Sequence, residues 1–329
     1  MDIRTWGQAL NTMPKLSLQE WQGLDIVARW LIATRASVLF MTFMSAALGG
    51  LLAAREGLFD WALWSACCLG LVLAHATNNL LNDYTDSRRG IDKDNYYRNQ
   101  YGVHVLEDEL LKPRQFWAYV AFTGGTAILL GSWLVWERSG LTLELMLAGA
   151  FFVLFYTWPL KYLGLGEPAV LLVWGPLMLG GTYYVLVGNW SWDVTWLSLL
   201  YALGPTSVLF GKHIDKIDLD EAKGVRTLPV ILGETRARAW VIGMLSLQYL
   251  GCLWLVASGR ESWLLLAVGI NLPTLWRLLQ VYRDPKPAER AENFPENIWP
   301  LWFSAFAFDH TRKFTSIFVL ALLIGHFLG

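Results

Sequence analysis

Long apolar runs separated by short polar connections dominate the chain. Nine runs approach the length of a bilayer crossing: 31–54, 61–81, 116–136, 141–160, 168–187, 194–211, 240–257, 263–282 and 314–328. A helix needs roughly 20 apolar residues to cross a hydrocarbon core of about 30 Å. The last run is short, and residues 298–308 before it read as interfacial. The pattern predicts an all-α integral membrane bundle of about nine transmembrane helices. Residues 1–30 differ: they are amphipathic and mixed in charge, with no continuous apolar core and no small-residue cleavage site. They read as a short surface helix at the membrane interface carrying Trp6, Leu10, Trp21 and Trp30, not as a signal peptide. Two regions follow from this, a cytoplasmic N-terminal segment at 1–30 and a transmembrane domain at 31–329.

Composition agrees. Of 329 residues, 55% are apolar and only 16% charged, against about 25% charged in a soluble domain. With 19 Trp and 16 Phe, lipid is the main solvent. A net charge of −1 excludes a basic nucleic-acid surface, so no nucleic-acid partner is expected. Cys67, Cys68 and Cys252 sit inside apolar runs, without metal-ligand spacing or a disulfide framework. Of the 26 Lys and Arg, all except Arg55, Arg138 and Arg260 fall on one side of a nine-span arrangement. The positive-inside rule makes that side, with the N-terminus and the large polar loops, cytoplasmic.

Charge on that side is concentrated in two acidic clusters. The second run ends in T-N-N-L-L-N-D-Y-T-D-S-R-R-G-I-D-K-D at 77–94. Asn79, Asn82, Asp83 and Asp86 are three to four apart there, so a helix end places them on one face. Asp92 and Asp94 follow after Gly90. The sixth run ends in G-K-H-I-D-K-I-D-L-D-E-A-K-G, with Asp215, Asp218, Asp220 and Glu221. The clusters take corresponding positions in two four-span units, a weak internal repeat. An Asp deep in a spanning helix costs about 2.5–3.5 kcal/mol on insertion scales. Two carboxylates 4 Å apart repel by roughly 4 kcal/mol at an effective dielectric of 20. Such clusters need cations to coexist, and hard oxygen ligands select Mg²⁺ or a close relative, which also binds substrate phosphates. The interspersed basic residues suit a diphosphate.

The stretch N-x-x-N-D-Y-T-D-S-R-R-G-I-D resembles the first aspartate-rich motif of the UbiA prenyltransferase superfamily, in the variant of the 1,4-dihydroxy-2-naphthoate polyprenyltransferases. D-K-I-D-L-D-E-A-K-G-V-R-T-L-P-V-I-L-G-E resembles its second motif. Y-T-W-P-L-K-Y-L-G-L-G-E and the later G-T-Y-Y are similar to the naphthoate branch. The resemblance covers roughly residues 35–234. It implies that Asn79, Asn82, Asp83, Asp86 and Asp92 bind diphosphate and Mg²⁺, and that Arg35 and Arg98 bind the diphosphate. Arg35 precedes Ala36, where the family usually has proline. In the second motif, register counted from Thr227 selects Asp220. Its partner position holds Lys216, which leaves Asp215 and Asp218 as alternative second carboxylates. Tyr156 and Lys161 match the family's Tyr–Lys element, which implies that they bind substrate, although they are five apart rather than four. Arg226 and Lys223 are further phosphate candidates, Tyr183 and Tyr184 further pocket candidates, and His213 a candidate for proton transfer.

The resemblance implies an enzyme that moves a polyprenyl group from its diphosphate to an aromatic, lipid-soluble acceptor. Asp83, Asp86, Asp215 and Asp220 would be catalytic, and a ring of helices would enclose a cavity open to membrane lipid. A cation or metabolite transporter is the competing class, but its carboxylates usually lie mid-span at broken helices. A phosphatidyltransferase would need a D-G-x-x-A-R core, which is absent. The acceptor stays open at this level between a quinone precursor and chlorin, phenolic, sugar or glycerol-phosphate compounds. Donor chain length and oligomeric state leave no mark in the sequence.

Overall fold

A computed structural model describes residues 3–91 and 102–328, so Asp92, Asp94 and Arg98 lie outside the described residues. The described residues are helical, with no strand. Six helices are long and apolar enough to cross a membrane: α4 (Ala36–Arg55), α6 (Pro113–Arg138), α8 (Gly166–Val187), α9 (Trp192–Asp215), α12 (Glu234–Ala257) and α13 (Trp263–Arg283). Three more helices fill the other expected runs: α5 (Trp61–Arg88), the shorter α7 (Thr142–Phe155) and α14 (Trp302–Leu328). Polar residues dilute the hydropathy of α5 at Asn78–Asn79 and Asn82–Asp83, and that of α14 at Asp309, Arg312 and Lys313.

The bundle is apolar outside as well as inside. Leu129, Trp136, Trp192 and Ile270 are all exposed, as expected of side chains that face hydrocarbon rather than water. α5 packs on α4 and α6, while α9 packs on α8, α12 and α14. Two glycines permit the closest approaches. A Cβ on Gly49 of α4 would lie 2.6 Å from the Leu179 carbonyl of α8. One on Gly211 of α9 would meet the Ser304 nitrogen at 2.8 Å. α8 widens into a π-helical stretch at Val173–Gly180 around Pro176, whose ring lacks an N–H and crowds the preceding turn.

The N-terminal segment differs from the single surface helix expected. It forms α1 (Ile3–Asn11), α2 (Leu18–Gly23) and α3 (Ile26–Ala33). Trp21 is buried with Leu80, Val105 and Phe116, and Trp6 Nε1 donates to Asp25 at 3.0 Å. These contacts fold the segment onto the end of the bundle that carries the first acidic cluster. At the opposite end, Arg55 Nη1 of α4 donates to both oxygens of Glu261, at 2.9 Å each, and Nη2 donates to the Leu322 carbonyl of α14.

Candidate active site

α5 stays helical to Arg88, past the apolar run, and so the first cluster is a helix face rather than a loop. Asn79, Asp83 and Asp86, spaced four and three, all point inward and are buried. Tertiary partners offset the cost of these polar residues. Asn79 Nδ2 donates to the Thr34 carbonyl at the end of α3, at 2.8 Å. Asp83 forms a close ion pair with Arg35. Lys161 Nζ donates to both oxygens of Asp86, at 2.8 and 3.0 Å. Arg35 occupies the left-handed region (φ 57°, ψ 54°) between α3 and α4, a conformation that costs a non-glycine residue roughly 1–2 kcal/mol. The sharp corner lets the side chain turn from the start of α4 toward α5. Lys161 comes from a 3₁₀ turn at Leu160–Leu163.

The second cluster divides. α10 (Ile217–Ala222) carries Asp220, buried, with Oδ1 accepting from Lys216 Nζ at 2.8 Å. Its Oδ2 is buried and has no hydrogen-bond partner. Asp218 is exposed and turned away. Asp215 meets backbone N–H groups. Its Oδ1 accepts the Phe303 N–H and its Oδ2 the Ser304 N–H, both at 2.9 Å. Those N–H groups open α14 and have no partner within their own helix, so Asp215 caps α14 from α9. The cap also explains why the last helix starts at Trp302, well before the apolar run at 314.

Contacts between the clusters bring the two halves together. Lys223 donates to the Gly90 carbonyl at 3.4 Å and, more closely, to that of Ile91, rather than standing ready as a phosphate clamp. Arg226 is exposed. Tyr162, which the motif comparison passed over, lies within electrostatic reach of both Asp86 and Asp220. Its hydroxyl is buried without a hydrogen-bond partner. Arg89 lies over its ring at 5.1 Å and over Trp158 at 4.8 Å. Burial, with Asp86 next, pushes the Tyr162 phenol up to about 12, so it remains a donor at any working pH. Glu167 was also passed over. Its Oε1 meets His213 Nδ1 at 2.5 Å, and its Oε2 accepts the Leu228 N–H at 3.3 Å, joining α8, α9 and the start of α11 (Leu228–Leu232). His213 therefore supports the second cluster from behind. Glu167 closes the Y-T-W-P-L-K-Y-L-G-L-G-E stretch and is a lone acidic residue opening an apolar run. Tyr162 follows directly after Lys161 in the same stretch.

A cavity of about 870 Å³ adjoins the first cluster at Asn79 and Asn82. Arg35, Asn79, Asn82, Lys212 and Tyr156 line its polar end, and Leu134, Leu145, Met146, Val173 and Leu177 its apolar walls. Tyr156 is within electrostatic reach of Asp86, Glu167 and Arg35. Tyr183 and Tyr184 lie elsewhere: the Tyr183 hydroxyl bonds Glu56, and that of Tyr184 accepts the Leu141 N–H at 3.0 Å.

The donor chemistry suits a hard divalent cation. Asp83, Asp86 and Asp220 are buried carboxylates from both motifs, and Asp220 Oδ2 is an orphaned acceptor of the kind a cation satisfies. Among the described residues no three acidic, His or Cys side chains already converge as a ligand set.

The profile of the UbiA prenyltransferase family matches residues 43–306. The chain is 27% identical over 263 residues to UbiA prenyltransferase domain-containing protein 1 of Danio rerio, covering 78% of this chain and 76% of that protein. It is 23% identical over 296 residues to the 1,4-dihydroxy-2-naphthoate octaprenyltransferase of Bacillus subtilis, covering 89% and 90%. Among solved structures, a UbiA homolog from Aeropyrum pernix K1 superposes with a TM-score of 0.63 at 15% identity, covering 88% of this chain and 98% of that one. A UbiA homolog from Archaeoglobus fulgidus bound to DMAPP and Mg²⁺ gives 0.57 at 11% identity, with the same coverages.

Proposed function

The chain belongs to the UbiA prenyltransferase family, and from that premise we propose that it transfers a polyprenyl group from its diphosphate to an aromatic acceptor of the quinone-precursor kind. Mg²⁺ is the cofactor in this reading, and both motifs and residues 1–30 face the cytoplasm. The observation that carries it is the set of buried carboxylates and cations, from both motifs, above an apolar cavity in a membrane bundle. The Mg²⁺ and DMAPP of the Archaeoglobus homologue and the naphthoate acceptor named for the Bacillus relative support cofactor, donor and acceptor respectively.

Asp83, Asp86 and Asp220 would hold the metal. Bound Mg²⁺ would neutralise diphosphate charge as the allylic C–O bond breaks. Arg35 and Lys161 would turn toward the diphosphate oxygens once their carboxylates take the ion, and charge-assisted hydrogen bonds would follow. The Tyr162 hydroxyl supplies a further donor, and Asn79 and Asn82 mark the mouth. The C–O electron pair leaves with the diphosphate. The acceptor ring then forms the new C–C bond and loses its proton to a carboxylate of the site. The apolar walls keep water from the allylic cation, and the faces of Tyr156 and Trp174 stabilise it. Asp215, committed to the start of α14, serves structure in this scheme.

Purified protein in nanodiscs, given labelled polyprenyl diphosphate and 1,4-dihydroxy-2-naphthoate, should yield a prenylated aromatic product by mass spectrometry. Chelation should stop the reaction and Mg²⁺ restore it. No product from any aromatic acceptor would overturn the reading. Orientation is tested by labelling D218C and E137C: a membrane-impermeant thiol reagent added to intact cells should reach only the second. The native cysteines are buried and do not compete.

A further inference from the structure

The apolar wall of the cavity contains an imidazole that the reaction scheme above does not use. His75 lies on α5 one turn below Asn79 and lines the cavity. It is eight residues from Asp83, which at 1.5 Å per residue is roughly 12 Å deeper along the helix. In the reading above, that level is on the prenyl-chain side of the diphosphate, where an acceptor ring would lie beside the chain.

The hydrogen bonds around His75 set its tautomer. Trp174 Nε1, which can only donate, gives its hydrogen to Thr42 Oγ1 at 3.0 Å. Thr42 keeps one hydroxyl proton, and His75 Nδ1 stands 2.7 Å away. Among the described residues Thr42 Oγ1 has no other acceptor, so its proton goes to Nδ1. A neutral imidazole that accepts at Nδ1 carries its own hydrogen on Nε2. The Trp174 ring holds the imidazole edge-on, with centroids 5.7 Å apart and planes at 72°. Three helices, α4, α5 and α8, thus converge on one side of the ring. Nε2 takes no hydrogen bond from the described residues, and the side chain is only partly buried beside the cavity.

We infer that the Nε2–H of His75 donates a hydrogen bond to an oxygen of the acceptor, a phenolic hydroxyl or carbonyl on a flat ring, and so orients the ring carbon toward the prenyl chain. Thr42 and Trp174 are positioning residues that hold the tautomer. Because Nε2 already bears a hydrogen, His75 is a donor and not the base that removes the acceptor's proton. The inference rests on the aromatic prenyl-transfer reading and adds the group that recognises the acceptor.

The test compares wild type, H75L, H75Q and T42V in nanodiscs with a fixed polyprenyl diphosphate. Kinetic constants are measured for the donor, for 1,4-dihydroxy-2-naphthoate, and for the two analogues lacking one ring hydroxyl. H75L should lower kcat/KM for the dihydroxy acceptor by at least about tenfold, the scale of one lost hydrogen bond in a dry site, with donor KM unchanged. H75Q, which keeps an N–H donor, should recover most of the loss. One analogue should react equally poorly with wild type and H75L, which identifies the oxygen involved. T42V, whose side chain does not line the cavity, should reproduce a smaller acceptor-specific loss, and it carries the test if H75L fails to fold. Donor and acceptor constants changing together, an equal penalty for all three acceptors, or unchanged acceptor kinetics in H75L and T42V would overturn the inference. Wild type that prenylates no aromatic compound would instead overturn the reading beneath it.

Discussion

Lys161 Nζ lies between the two oxygens of Asp86, 2.8 and 3.0 Å away, with both side chains buried. The residues are 75 positions apart, and the motif resemblance implies a separate partner for each, substrate for the lysine and metal for the aspartate. Paired, they neutralise each other inside the bundle. Removing one member of a buried pair leaves an uncompensated charge, which costs about 3–5 kcal/mol.

K161M should therefore be less stable than wild type by about 3 kcal/mol when metal is absent. Mg²⁺ should restore more stability to this variant than to wild type, because the ion takes the lysine's place beside Asp86. Thermal unfolding in nanodiscs with and without Mg²⁺ reads both effects. Equal Mg²⁺ shifts for the two proteins would show that Asp86 does not face the ion.

Asp220 and Asp218 should separate cleanly. The orphaned Oδ2 of Asp220 makes D220N lose most of its prenyl transfer at low Mg²⁺ and recover part of it at high Mg²⁺. Asp218 is exposed, so D218N should follow the wild-type titration. A D218N curve displaced further than that of D220N would reverse the assignment.

Asp215 should behave as a cap. In D215N one backbone N–H of α14 loses a charged acceptor, and stability should fall by about 1–2 kcal/mol. Faster hydrogen exchange at the start of α14 should accompany the loss, while half-saturating Mg²⁺ stays at the wild-type value. A shift in Mg²⁺ dependence with unchanged stability would return Asp215 to the metal.

Tyr162 is expected to act through its neutral hydroxyl. Y162F should weaken kcat/KM for the donor by about tenfold, one hydrogen bond to a charged oxygen. The phenol is raised to about 12, so it donates below that pH and loses its hydrogen only above it. The ratio of Y162F to wild-type activity should then be flat from about pH 6 to pH 10. A ratio that climbs toward one by pH 10 would mean that the phenol ionises in that range.

The sequence by itself determined the membrane bundle, the face shared by Asn79, Asp83 and Asp86, and the existence of two acidic motifs. Each of these depends on local properties, namely the length of an apolar run and the 3.6-residue period of a helix, which neighbouring residues set. Only the tertiary structure decided which partner each carboxylate meets. Asp215 and Asp220 look alike in sequence, but one meets the backbone of residues 303 and 304 and the other does not. That contact requires Gly211 to bring α9 against α14. It moves the start of the last helix away from the apolar run, because an external acceptor can satisfy N–H groups that hydropathy does not register. The pairing of Lys161 with Asp86, the place of Tyr162 between the motifs and the tautomer of His75 have the same origin. Each is fixed by a contact between distant helices, where burial makes a single partner worth more than any local preference.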